Sequence, residues 1–143
     1  MALFDIVKLA LRRAETTAYD VEIRTLIGAA CFDLELAGVV TKTFSSASSY
    51  AAGDRVVHDG DYFVCTTPTT EGEEFDAANW QPDHLFNRAV CTYCKAHFGE
   101  SDEWEHLKPS YDEQKAQLMM ATPYTNYGEY AGIKTALGGS NNV

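Results

Sequence analysis

Leu3, Ile6, Val7 and Ala10 recur at the spacing of one helical face, ahead of Arg12 and Arg13, whose cations suit a helix C-terminus. A second stripe follows in Ile23, Leu26, Ile27, Ala30 and Leu34, with Thr17 and Asp20 spaced like an N-terminal capping box and Gly38 as a stop. From Thr41 to Gln81 the period drops to two, and Ser, Thr, Gly and aromatics replace the aliphatic stripe. That change predicts short strands at 54–58, at 61–66 and near Trp80, with the Asp59-Gly60 pair turning a hairpin.

Helical spacing returns after Pro82-Asp83 in Phe86, Val90, Tyr93 and His97, and Gly99 ends the run. A last helix is predicted from Ser101-Asp102, where Glu105 completes a capping box, through Trp104, Leu107, Tyr111, Leu118 and Ala121. Pro109 lies within it and is expected to kink it or to begin a new turn, because proline cannot donate to the preceding ladder. The C-terminal segment carries Pro, Gly, Asn and three tyrosines without a sustained period, which suits a partner-binding tail.

The pattern predicts a mainly α protein, a bundle of about four helices with a small three-stranded antiparallel β insertion between the second and third. Residues 1–40 and 83–123 form the helical core, 41–82 the inserted module and 124–143 an extended tail. With 143 residues, 45% of them hydrophobic, the chain can bury one sizeable core and is not a disordered protein.

Charge and cysteine usage narrow the function. The 21 acidic against 11 basic residues give a formal net charge of −10, which argues against gripping nucleic acid by neutralising phosphates. Asp5 precedes the cationic pair, the reverse of a signal peptide's order, and no apolar run approaches a membrane span, so no membrane partner is expected. Four cysteines without a secretory signal fit free thiols in a reducing cytoplasm.

Without residues 41–82, the order of features is a short helix, a T-x-x-D-opened helix ending near Gly38, a helix running into Lys95-Ala96-His97-Phe98-Gly99, and a last helix with Trp104, Leu107, Lys108, Tyr111 and Lys115-Ala116-Gln117-Leu118. This order resembles the head-tail connector, or adaptor, family of tailed bacteriophages. The resemblance implies a non-enzymatic structural subunit of the virion neck, made in the host cytoplasm, whose copies join into a ring of about twelve, a closed cyclic assembly. It further implies a portal protein above, a stopper or tail-completion protein below, and genomic DNA passing through the channel without specific binding.

Tyr124, Tyr127, Tyr130 and Ile133 are the tail residues expected to meet the portal. Glu100, Asp102, Glu103, Glu105, Asp112 and Glu113 are candidates to line the channel, where a negative wall lets DNA slide, although a solvated helix face has the same composition.

Within the insertion, Phe44, Tyr50, Gly53, Asp54, Val56, Gly60, Tyr62 and Trp80 are spaced in a way that resembles the small β module of type 3 chitin-binding, or carbohydrate-binding, domains. The resemblance implies sugar stacking on aromatic faces, with Phe44 where such modules usually carry Trp. The residues themselves favour another use of Phe44, Tyr50, Tyr62 and Trp80, as the core of a sheet too small to spare its aromatics. A glycan-binding module on a helical scaffold is the alternative function. The module could also touch a neighbouring subunit or decorate the neck.

Cys91 and Cys94, followed by His97, raise a zinc or redox reading. On a continuous helix these positions drift around the axis, so a tetrahedral site needs His106 or another distant ligand. A redox pair normally sits at a helix N-terminus, whereas this pair lies mid-helix. Small thiols filling a helix interface account for both, and no cofactor or metal is expected. His58 and His84 are dispersed, and Gly138-Gly139 lies in the tail without the strand and helix of a phosphate loop.

Overall fold

A computed structural model of the chain describes residues 1–121. Among these, four α-helices, α1 (Leu3–Ala10), α2 (Asp20–Leu36), α3 (His84–His97) and α4 (Trp104–Met120), accompany a four-stranded sheet inserted between α2 and α3. Its strands are β1 (Lys42–Thr43), β2 (Arg55–His58), β3 (Asp61–Cys65) and β4 (Trp80–Pro82), in spatial order β1-β2-β3-β4.

The sheet is mixed, which corrects the three-stranded antiparallel expectation. β2, β3 and β4 pair antiparallel, but β1 adds a fourth strand parallel to β2, with Lys42 opposite Val56. The hairpin turn is the predicted one. Asp59 and Gly60 both take positive φ, at 51° and 83°, as a type I′ turn requires.

α1, α2 and α3 begin and end close to where the apolar pattern places them, but two caps differ. Tyr19, not Thr17, precedes α2 and makes no side-chain cap, and Thr16 Oγ1 instead accepts from Ala18 N in a turn of its own. α4 starts at Trp104 after Glu103, and Ser101 Oγ is spent on Glu103 N. α3 has a side-chain cap, since the Asp83 carboxylate accepts from Phe86 N. α4 continues through Pro109. The proline sits in the second turn on the exposed face, and the one ladder bond it forfeits leaves the Glu105 carbonyl beside solvent.

α3 is the hub, packing on α1, α2 and α4 around Val7, Ile23, Leu34, Phe86, Val90 and Leu118. The insert has its own smaller cluster of Val56, Cys65 and Trp80, edged by Phe44, Tyr50, Phe63 and Phe75.

Candidate functional site

Three of the four insert aromatics come together. Phe44 and Tyr50 stack with ring centres 5.4 Å apart, and Trp80 meets both edge-on at 5.8 and 5.2 Å. The Tyr50 hydroxyl accepts from Ser45 N, which ties the strand-free segment back onto the cluster. Phe75, absent from the sequence-derived set, closes the group by stacking on His58 and packing against Trp80. Trp80 is 6% exposed. Stacking a pyranose needs an open ring face, which the buried Trp80 does not offer, while Phe44 and Tyr50 are half-buried.

Tyr62 leaves that group. Side chains alternate along β3, so Phe63 and Cys65 face the small cluster while Tyr62 faces the helices, where it stacks on Phe86 with ring centres 3.8 Å apart. Its hydroxyl lies 3.8 Å from Cys31 Sγ. Polar links flank the stack. Leu3 N donates to Asp61 Oδ1 at 2.8 Å, Asp83 N donates to the Tyr62 carbonyl, and Arg55 Nη1 reaches Asp83 Oδ1 at 2.8 Å. Asp83 is 1% exposed, so that ion pair is largely withdrawn from water.

The acids separate by surroundings. Glu100, Asp102, Glu103 and Glu105 are exposed and cluster at the α3–α4 turn and the start of α4. Glu113 is exposed further along, whereas Asp112 is neutralised by Lys108 at 2.6 Å. Tyr124, Tyr127, Tyr130 and Ile133 lie outside the described residues.

The thiols sit where burial disfavours ionisation. Cys94 is fully buried, and desolvation first, then the neighbouring Cys91 and Cys31, push its pKa up to about 12. Burial also raises Cys91 and Cys31. His97 is drawn into an aromatic stack between Tyr93 and Trp104, at 4.4 and 4.7 Å. Among the described residues no group of three or more His, Cys, Asp or Glu side chains is arranged to hold a metal ion.

Sequence reasoning missed the outer side of α2. Val21, Phe32 and Leu36 are 81%, 59% and 71% exposed, and Thr25, Gly28 and Ala29 between them are exposed as well. Phe32 borders a cleft of about 260 Å³ that is also lined by Cys31, Glu35, Val39, Thr41, Tyr62 and Phe86. The signal was available as a second apolar stripe opposite the first.

No helix among the described residues is long and apolar enough to cross a membrane. No curated protein and no solved structure matches the chain. A family model described as phage connector protein matches residues 3–125, a span that takes in every described helix and strand. The helical frame and the extent of that match agree, and the chain belongs to the phage connector protein family, which is structural and not an enzyme family.

Proposed function

We propose that the protein is a head-tail connector subunit whose copies form a ring beneath the portal, extend the DNA channel and offer a docking surface to a stopper or tail-completion protein. The observation that carries this reading is the family match across residues 3–125. The acidic turn between α3 and α4 supports the channel part of it, because exposed carboxylates facing DNA phosphates repel and do not hold. Glu100, Asp102, Glu103, Glu105 and Glu113 are the wall in this reading, and Asp112 contributes little because Lys108 neutralises it. Residues 124–143 reach the portal through their tyrosines.

Negative-stain electron microscopy of the purified protein, alone and mixed with portal-bearing heads of the same phage, tests the reading. Rings or added density at the portal vertex are expected. Removing residues 124–143 is expected to abolish that density while the circular dichroism of the bundle persists. Full-length protein that stays monomeric and ignores the portal would refute the proposal.

A further inference from the structure

α2 is apolar on two opposite sides. Ile23, Ala30 and Leu34 are buried in the core, and Val21, Thr25, Gly28, Ala29, Phe32 and Leu36 face away from it. At 3.6 residues per turn those six outer positions fall within roughly 100° of the helix circumference, a continuous strip about 22 Å long.

Most of the charges on α2 are drawn off the strip. Asp20 pairs with Lys8 at 2.9 Å, and Glu22 accepts from Gly99 N. Arg24 lies over the Phe4 ring at 3.7 Å, and Asp33 accepts from Tyr111 and Lys115. Glu35 lies at the edge, beside the cleft. The one hydroxyl on the strip is satisfied internally, since Thr25 Oγ1 donates to the Val21 carbonyl. A Cβ placed on Gly28 would meet nothing within 4 Å, so the centre of the strip is open to close approach by another chain.

From this arrangement we infer that the outer strip of α2 is the surface by which one copy of this chain packs against the next. A helix apolar on both sides is ordinarily buried on both, and among the described residues only the inner side is covered. The ring reading makes a second copy the occupant, and charge makes this strip the place for it. Each copy carries a formal net charge of −10, so like fields oppose self-association wherever charged surfaces meet, and an uncharged strip is where that opposition is least. In a closed ring the same contact recurs in every copy, so a strip present on every subunit is covered on every subunit.

This inference rests on the ring reading, and Phe32→Glu tests it separately. Phe32 is exposed in the monomer, so the substitution leaves the fold intact, as thermal unfolding verifies. Leu9→Glu, a comparable change at an exposed leucine of α1, serves as the control. Sedimentation velocity and negative-stain microscopy, each with and without portal-bearing heads, read the assembly. Wild type and Leu9→Glu are expected to form rings, and Phe32→Glu is expected to weaken association by about thirtyfold or more, as for an interface hot spot.

Rings of Phe32→Glu as stable as wild type would overturn the inference and leave the ring reading standing. Phe32→Glu rings that form normally but no longer attach to heads would assign the strip to the portal or the tail instead, and would also overturn it. Wild-type protein that never self-associates, alone or on heads, would remove both proposals.

Discussion

Tyr111→Phe isolates the link between α2 and α4. The ring is 1% exposed and packs against Tyr93 and Trp104, contacts that phenylalanine keeps. What is lost is the hydroxyl, which donates to Asp33 Oδ2 at 2.5 Å. A hydrogen bond to a charged acceptor contributes about 1.5–3 kcal/mol. Solvent screening discounts that figure here, because the Asp33 side chain is 38% exposed and keeps Lys115 at 3.3 Å, so the expected loss is about 1–2 kcal/mol. In urea, where the slope for a small protein is about 2 kcal/mol per molar, the midpoint moves down by roughly 0.5–1 M.

The same hydroxyl predicts a pH dependence. Burial first, and then the bond to Asp33, raise the Tyr111 pKa well above the ordinary tyrosine range. Because the folded value lies above the unfolded one, the stabilisation is fully present below pH about 10 and is lost as pH rises toward the folded value. The gap between wild type and Tyr111→Phe is therefore constant through neutral pH and narrows above about 10. Urea titrations followed by tryptophan fluorescence at pH 7, 9 and 10.5 measure both effects. A midpoint within 0.2 M of wild type at pH 7 would refute the reasoning and leave the α2–α4 link to packing and Lys115 alone.

Other substitutions test other parts of the structure. Arg12 takes φ 60° where α1 ends, a conformation costing a non-glycine residue about 1–2 kcal/mol, while glycine adds about 0.5–1 kcal/mol of unfolded-state entropy; Arg12→Gly is expected to stabilise by about 0.5–1 kcal/mol in calorimetry. Tyr62→Ala is expected to cost about 3–5 kcal/mol and to make both 41–82 and the helices more susceptible to limited proteolysis, whereas intact helices beside a digested insert would show that the two are independent. Cys94 contributes stability below pH 9 that is lost between 9 and about 12, so Cys94→Ala is expected to flatten part of the alkaline fall seen in wild-type urea titrations.

α2 and α3 were legible because two signals agreed at each. The 3.6-residue stripe gave the buried face, and a glycine gave the end, with Gly38 and Gly99 at φ 99° and 63°. The hairpin was legible because Asp-Gly is among the few pairs that tolerate two positive φ values. β1 was not, since two residues pairing parallel leave no alternation to read. Aromatic spacing alone misplaced Tyr62, although strand parity separates it. Trp80 pairs with Cys65, so Phe63 shares that face and Tyr62 takes the other. The outer strip of α2 escaped notice because a second stripe on a helix lowers the contrast on which periodicity depends.

The same parity determines how the insertion is carried. A module hung from a loop would keep its aromatics to itself and meet the frame only through its two chain connections. Here β3 commits one face to the small cluster and the other to Phe86, while Asp83 caps α3 and binds Arg55 with the same carboxylate. The sheet is thus fixed to the N-terminal end of α3, and the acidic turn follows its C-terminal end. The helix has 14 residues, so about 21 Å of rigid rod lies between them. In a ring that turns the acidic end of α3 toward the channel, the sheet is held at the other end, away from the DNA and in the same orientation on every copy.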